Sequence, residues 1–199
     1  MPRSFLKRGL VVGLPLAVLG VAASAANPNE GSLGADCRTN GKTILANERA
    51  RVYGKLDGDV SVFACSYRSD RPRLDLDFRS ASNGVSRFQL VGETVAYQVA
   101  GEGCSSGRCV GTYVESYSLR TGRRLRRISG GVDRYVVKRN GSLAVAGPVN
   151  DIDLRIRLAK SDMTGPSALA ADIDPGSLAL AGSRIYWTEG GLPHSAVLD

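Results

Sequence analysis

The chain has 199 residues, with 26 basic and 19 acidic side chains and a formal net charge of +7 at neutral pH. It contains no phosphate-cradling loop, metal-ligand cluster or cofactor fingerprint, so we expect no cofactor. Beyond the first 25 residues no stretch of ten or more has helical spacing, which excludes a mainly helical fold.

Residues 1–25 have the three parts of a secretory signal peptide. Residues 1–8 carry basic side chains and no acid, residues 9–23 carry no charge, and Ala23-Ser24-Ala25 supplies an A-x-A cleavage site. We therefore predict cleavage after residue 25. The alternative is an uncleaved anchor, because residues 9–26 give 18 uncharged positions, the lower limit for a membrane span.

Removal of the signal takes three of the 26 basic residues and none of the 19 acidic ones, so about four positive charges remain in excess. We expect a secreted, extracytoplasmic protein that meets the membrane only transiently, through the signal. Residues 26–42 are rich in Gly, Asn and Ser and predict a linker, and residues 43–199 predict one domain. We expect a monomer.

The four cysteines are even in number and follow an export signal, which favours disulfides. Cys104 and Cys109 enclose a short polar loop and are the natural local pair, which leaves Cys37 for Cys65. Other pairings remain open from the sequence. A metal site is the competing interpretation, but C-x4-C without nearby histidines is poor zinc spacing.

Short apolar or alternating runs, separated by turn residues, predict strands throughout the domain. In chain order they are Thr43–Ala46, Arg51–Tyr53, Val60–Tyr67, Leu74–Phe78, Phe88–Val91, Val95–Val99, Tyr113–Leu119, Leu125–Ile128, Tyr135–Val137, Leu143–Ala146, Ile152–Leu158, Leu178–Ala181, Ile185–Trp187 and Ser195–Leu198. Asn140-Gly141 predicts a type I′ hairpin turn. The triplets Arg68–Asp70, Arg120–Gly122 and Lys160–Asp162 each predict a tight turn after a strand.

One pattern occurs twice: Leu90–Tyr97 and Leu180–Trp187 both read L-x-G-x-x-[VI]-x-[YW]. Hairpins starting at Val52, Leu90, Val137 and Leu180 recur about every ~45 residues, the size of a four-stranded β-propeller blade. We therefore predict an all-β fold, a small four-bladed propeller-like repeat domain. The orphan strand Thr43–Ala46 would close the ring by joining the incomplete last unit. An irregular β-sandwich is the alternative.

Tyr186-Trp187-Thr188-Glu189 resembles the YWTD signature of one propeller family, with Glu in place of the final Asp. The resemblance covers one blade, since the matching place in the second unit reads Ala96-Tyr97-Gln98-Val99. The chain after residue 25 is also similar to secreted bacterial β-propeller-like proteins without an assigned activity. YWTD propellers are mostly extracellular protein-binding modules, so the resemblance implies a binding function and assigns no site residue.

Five arginines crowd the run 120–127. Guanidinium groups match carboxylates and phosphates well, so Arg123, Arg124, Arg126 and Arg127 predict an anion-binding surface. Aromatic residues do not alternate with these arginines, which speaks against nucleic acid as a partner. The alternative is a solvated edge hairpin whose basic side chains discourage strand addition.

Four aspartate pairs are candidates for catalysis, which in glycosidases needs two carboxyls facing one cleft. Turn or solvent roles are the simpler interpretation of these pairs, which are Asp57/Asp59, Asp75/Asp77, Asp151/Asp153 and Asp172/Asp174. The only histidine, His194, lacks a G-x-S-x-G nucleophile motif and predicts a surface loop residue. Asn140-Gly141-Ser142 matches a glycosylation sequon but is explained by its turn.

The favoured function is therefore a secreted, non-enzymatic module that binds a protein or an anionic cell-surface polymer. The alternative is an extracellular polysaccharide hydrolase or lyase whose carboxylates converge at the mouth of the propeller. The sequence names no catalytic residue for it.

Overall fold

The computed structural model describes residues 37–39, 41–57, 59–68, 74–76, 85–100, 111–148 and 155–199, all within one compact unit, Gly31–Asp199. The strands are β1 Lys42–Ala46, β2 Ala50–Asp57, β3 Asp59–Ser66, β4 Leu74–Asp75, β5 Val85–Val91, β6 Thr94–Val99, β7 Tyr113–Ser118, β8 Arg124–Ser129, β9 Arg134–Val137, β10 Leu143–Pro148, β11 Ile156–Asp162, β12 Gly165–Ala171, β13 Ile173–Ala181, β14 Arg184–Glu189 and β15 Leu192–Val197. No helix in this part of the chain is long and apolar enough to cross a membrane.

The strands form four open antiparallel sheets in which neighbours along the chain pair with each other. Sheet 1 contains β1–β4, sheet 2 contains β5–β8, sheet 3 contains β9–β12, and sheet 4 contains β13–β15. The predicted all-β class is confirmed.

The repeated L-x-G motif builds the first hairpin of sheets 2 and 4. Gly92 and Gly182 have φ values of +63° and +60°, which a two-residue hairpin turn requires and which glycine adopts without strain. The aromatic residue that ends each motif, Tyr97 or Trp187, is buried. The motif is therefore a turn followed by a strand whose alternate residues enter the core.

Each sheet packs face to face on the next one, through three hydrophobic clusters that join sheets 1 and 2, 2 and 3, and 3 and 4. Strand β6 shows how this works. Val95 and Tyr97 face sheet 1, while Ala96, which points the opposite way, packs with Tyr135 of sheet 3. Because both faces of such a strand are covered, its sequence is almost continuously apolar.

Two hydrogen bonds at the first hairpin turns, one between sheets 1 and 2 and one between sheets 2 and 3, span the same number of residues. Asn47 Nδ2 donates to the Gly92 carbonyl at 3.0 Å, and Thr94 Oγ1 donates to the Arg139 carbonyl at 2.5 Å. Each bond spans 45 residues. The first strands β1, β5, β9 and β13 also contact one another in succession. Successive sheets therefore contact each other through residues of similar position in their first hairpins.

The predicted ring closure by Thr43–Ala46 is wrong, because this strand is β1 and pairs with β2 in sheet 1. Asn47 makes the turn: its side-chain oxygen accepts the N–H groups of Arg49 and Ala50 at 2.8 and 3.0 Å. The orphan strand is therefore the first strand of the first unit. With Leu45 as anchor, the repeat positions 45, 90, 137 and 180 are more evenly spaced than those anchored on Val52.

Two turn predictions near sheet 3 are wrong. Asn140-Gly141 is not a type I′ turn, because φ is positive at Gly141, +91°, but not at Asn140. The Gly141 N–H bonds to the Lys138 carbonyl at 2.9 Å, as in a three-residue loop that ends in a left-handed glycine. The triplet Lys160–Asp162 lies inside β11, and the turn is the next pair, Met163-Thr164.

Strand β12 was not predicted, because Gly165-Pro166-Ser167 reads as a turn. The register explains why a proline is tolerated in this strand. Asp162 and Gly165 flank a two-residue turn and form a hydrogen-bonded pair, and such pairs alternate with non-hydrogen-bonded ones. The next pair, Ser161 and Pro166, is therefore not hydrogen-bonded. On this edge strand the proline nitrogen faces away from β11, and no ladder bond is lost. The N-terminal part of the run Ile152–Leu158 lies outside the described residues.

The alternation predicted for Leu74–Phe78 is seen where the structure describes it, since Leu74 and Leu76 are both buried in the cluster between sheets 1 and 2. Asp77 and Phe78 lie outside the described residues. So do the predicted signal peptide, residues 1–25, and nearly all of the predicted linker, residues 26–42, apart from residues 37–39 and 41–42.

Candidate functional site

The predicted arginines lie on β8, an edge strand of sheet 2, and in the turn before it. We call Arg123, Arg124, Arg126 and Arg127 the arginine strand. The turn preceding it is the one predicted from the sequence. Gly122, with φ +67°, donates its N–H to the Ser118 carbonyl at 2.8 Å. The turn leads directly into β8, so the four arginines lie on one edge strand and the turn before it.

A β-bulge sorts these arginines between the two faces of the sheet. The register shifts between Ser116 and Tyr117, so Arg124 pairs with Tyr117 and Arg126 with Ser116. The bulge places Arg124 and Arg127, three residues apart, beside the same side chain. Regular alternation would have put Arg124 together with Arg126 instead.

That shared side chain is Glu115 on β7, whose side chain is only 4% exposed. Its Oε1 lies 2.9 Å from Arg124 Nη1 and 3.6 Å from Arg127 Nη1, and its Oε2 accepts the Tyr117 hydroxyl at 2.9 Å. Hydrogen bonding to Glu115, together with its charge, raises the pKa of Arg124 above the ordinary value. The Arg127 guanidinium also stacks over the Tyr113 ring, 3.7 Å from its centroid.

Arg126 points to sheet 3. Its Nε donates to the Asp162 carbonyl at 3.1 Å, and its Nη2 lies 3.1 Å from Met163 Sδ. Leu125 packs closely over Gly141, where an added Cβ would come within 2.4 Å of the leucine. Arg126 is therefore part of a joint between two sheets, whereas Arg123 is exposed in the turn.

A buried ion pair joins sheet 3 to the end of sheet 4. Lys160 Nζ lies 2.6 Å from Asp162 Oδ2 and 3.1 Å from the Val197 carbonyl oxygen. Thr164 donates its N–H and its hydroxyl to Asp162 Oδ1, and the Asp199 N–H donates to Oδ2. Burial raises the pKa of Asp162, but the hydrogen bonds from Lys160, Thr164 and Asp199 lower it further, so it lies well below the ordinary value.

The predicted disulfide between Cys37 and Cys65 is present, with a Cα–Cα distance of 5.8 Å. It packs with Tyr53 and Phe63 in a small cluster of its own on sheet 1. The other predicted pair, Cys104 and Cys109, lies outside the described residues.

The carboxylate pairs do not gather into a site in the part of the chain that is described. Asp174 Oδ1 accepts the Gly176 N–H at 2.8 Å, a turn role, and Asp172 is exposed with φ +55°. The backbones of Asp57 and Asp59 pair at the end of the β2–β3 hairpin, and Asp77, Asp151 and Asp153 lie outside the described residues. The described residues contain no group of three or more His, Cys, Asp or Glu placed to hold a metal.

His194 lies on β15 rather than in a loop; it is exposed and stacks on Trp187 with ring centroids 5.8 Å apart. In the sequon, Asn140 Oδ1 accepts the Ser142 N–H at 3.1 Å, and Ser142 is 1% exposed with its hydroxyl bonded to the Asp199 carbonyl. These contacts support the turn interpretation.

Sequence reasoning missed Glu115, the residue that organises the arginine strand. Tyr113 and Tyr117, two residues away on either side, lie on the same face of the strand. A lone acidic residue between them does not by itself reveal whether that face is buried. The signal that could have found it is the opposite charge across the β7–β8 hairpin, since facing residues of opposite charge pair in antiparallel strands.

The chain matches no protein-family model, and it has no significant match among curated proteins or solved structures.

Proposed function

We propose that this protein is an extracytoplasmic, non-enzymatic binding module, and that its arginine strand binds an anionic cell-surface polymer. We further propose that the four sheets are successive blades of a small propeller-like repeat. The face-to-face stacking of sheets, the contacts between their first strands and the similar sequence separation of the contacts between sheets, 45 residues in two hydrogen bonds and 42 in a third, support the propeller-like arrangement. The Cys37–Cys65 disulfide supports an oxidising compartment.

The observation that carries the binding proposal is the buried carboxylate of Glu115 beneath two half-exposed guanidiniums. The side chains of Arg124 and Arg127 are 52% and 43% exposed, so each is held by Glu115 on one side and open to solvent on the other. A guanidinium has five N–H donors, and contact through Nη1 leaves others for a ligand. Holding a long side chain in place before binding reduces the entropy lost on association.

Charge balance favours an anionic partner. Four guanidiniums share one edge strand and its turn, and Glu115 pairs with two of them, those of Arg124 and Arg127. An exposed strand edge is open along its length, which suits a chain of repeated anionic groups better than a single small molecule. Such contacts lie in water and should weaken as salt rises.

The test is retention on heparin–agarose across a salt gradient. In one variant Arg123, Arg124 and Arg127 are changed to Gln, which spares the joint made by Arg126. Exposed ion contacts contribute about 0.2–1 kcal/mol each, so three losses should reduce affinity about 3- to 150-fold and lower the eluting salt concentration.

A matched control changes Arg68, Arg139 and Arg184 to Gln, which removes the same charge from exposed positions on three other parts of the fold. It should elute close to the wild type. An equal shift in both variants would mean that net charge alone drives retention, and an unchanged elution of the first variant would refute the proposal.

A further inference from the structure

The first and the last sheet differ in how their outer faces are covered. On sheet 1 the face turned away from sheet 2 carries Tyr53, Phe63 and Cys65, which are buried together with Cys37 in a cluster of their own. The disulfide holds the segment at Cys37 against that face. The face of sheet 4 that is turned away from sheet 3 is exposed instead.

The strand register shows which residues share this outer face of sheet 4. Ile185 and Trp187 of β14 pack in the cluster with sheet 3. The residues that alternate with them, Arg184, Tyr186 and Thr188, therefore lie on the outer face. Their cross-strand partners form three rows with them, which are Ala181-Arg184-Val197, Ala179-Tyr186-Ser195 and Asp174-Thr188-Pro193. Eight of these nine residues are exposed, and Thr188 is half-buried.

The middle of the face carries exposed apolar side chains. Tyr186 is 42% exposed and Val197 is 39% exposed. Ala179 and Ala181, on the neighbouring strand, are small and leave both side chains open to an approaching surface. A flat sheet face of this kind can bury its apolar side chains against a second sheet, which packs about 10 Å away.

The two charged residues of the face lie at its opposite ends. Arg184 belongs to the first row and Asp174 to the third, about 13 Å apart along the strands. Arg184 Nη2 donates to Ser195 Oγ at 3.1 Å, and Asp174 Oδ1 accepts the Gly176 N–H at 2.8 Å. In the hydrogen bonds that the structure describes, each charged group thus uses one atom and keeps others for a partner.

We propose that this face binds a second copy of the chain through a two-fold axis that crosses the strands at Tyr186. Such an axis reverses the strand direction, so Arg184 of each copy lies over the end that holds Asp174 in the other copy. The two Tyr186 rings meet at the axis. A two-fold axis along the strands would instead place Arg184 over Arg184, so the charges select the first arrangement.

This contact uses the face of sheet 4 and none of the arginine strand. A three-stranded face is smaller than a standard interface of about 800 Å² per partner, so the dimer should be weak and should depend on concentration. The monomer expected from the sequence is then the state of the dilute protein.

The test is analytical ultracentrifugation of the whole protein between about 5 and 500 µM, where the weight-average mass should rise toward that of a dimer. Arg184→Asp and Asp174→Arg each create like charges at both ends of the contact, and each should weaken self-association at least ten-fold. Charge reversal is used because the loss of one exposed ion pair has only a small effect.

Two further measurements show that the single variants are folded and that the charges act across the proposed axis. An equimolar mixture of Arg184→Asp and Asp174→Arg should associate, because one copy then carries two acids and the other two arginines. The double variant, with both changes in one chain, should associate with itself again. Tyr186→Ser should weaken association of the otherwise unchanged chain.

Arg68→Asp is the matched control, because it reverses one exposed charge on sheet 1 and should associate like the wild type. The heparin variant of Arg123, Arg124 and Arg127 should also associate normally, so failure of the dimer is distinguishable from failure of polymer binding. A wild type that stays monomeric would mean that the face is solvated or binds another protein, and would overturn the proposal. Wild-type association of both single variants, or no association in their mixture, would overturn it as well.

Discussion

The ion pair of Lys160 and Asp162 gives the sharpest stability prediction, because it is buried and joins two sheets. The side chains are 13% and 0% exposed, and Asp162 accepts hydrogen bonds from Thr164 and from the Asp199 N–H as well. In Asp162→Asn one oxygen can still serve Thr164. The new amide, however, turns a donor toward the Lys160 ammonium and the Asp199 N–H.

The expected cost follows from this geometry. Removing one member of a buried ion pair costs about 3–5 kcal/mol, and we expect about 3 kcal/mol here because Lys160 keeps its bond to the Val197 carbonyl. For a chain of this size that corresponds to a fall in melting temperature of about 6–12 °C. Trp187, the only tryptophan, is 7% exposed and gives a fluorescence signal for urea unfolding.

The stabilisation that the Asp162 carboxylate provides must also depend on pH, and the direction of its pKa shift fixes the sign of that dependence. The native pKa of Asp162 lies below its unfolded value of about 3.9. The carboxylate therefore stabilises the fold fully above that value, and the stabilisation is lost as pH falls toward the native pKa. The difference between wild type and Asp162→Asn should be constant from pH 7 to about 5 and shrink below pH 4.

Asp174→Asn is the matched control. Asp174 is exposed and accepts one turn hydrogen bond, so its replacement should cost about 0.5 kcal/mol or less. The reasoning would be refuted if Asp162→Asn cost less than about 1 kcal/mol, or if its cost were the same at pH 3 as at pH 7.

Two further predictions concern the contact between sheets 2 and 3 at Gly141 and the disulfide of sheet 1. Gly141→Ala should lower the free energy of unfolding in urea by about 2–4 kcal/mol, because φ is +91° and the new Cβ would lie 2.4 Å from Leu125. Gly122→Ala is the control: φ is +67° there and no atom lies within 4 Å, so it should cost about 1 kcal/mol. Replacing Cys37 and Cys65 by Ser should cost about 3–4 kcal/mol, because their bond closes a loop with a sequence separation of 28 residues, and equal melting of the variant and the wild type would contradict this.

Features that a few adjacent residues determine could be predicted from the sequence. The two hairpins with Gly92 and Gly182 need only a left-handed glycine between apolar runs. Strand β1 was found but misassigned, since its turn depends on the Asn47 side chain bonding to two backbone N–H groups. Strand β12 was missed because Pro166 is acceptable only on an edge strand, at a position where its nitrogen points away from the neighbouring strand.

The candidate site was predictable in residue type but not in geometry. The arginines of β8 are visible in the sequence, yet the bulge that brings Arg124 and Arg127 to one carboxylate depends on the register with β7. The left-handed backbone of Arg87, with φ +52°, was not predictable at all, because nothing in the neighbouring sequence marks that residue.

The last strand, β15, shows how an exposed sheet edge can avoid unwanted pairing. The Leu198 N–H bonds to the Ser183 carbonyl at 2.8 Å. In the antiparallel register this means that the even-numbered residues of β15 direct their backbone N–H and C=O groups toward β14. The backbone groups of Pro193, Ser195 and Val197 therefore point away from the sheet. Pro193 has no N–H, and the Val197 carbonyl accepts a hydrogen bond from Lys160. Of these three residues, Ser195 alone could offer both its backbone N–H and its C=O to an added strand. The edge is therefore a poor template for strand addition by another chain.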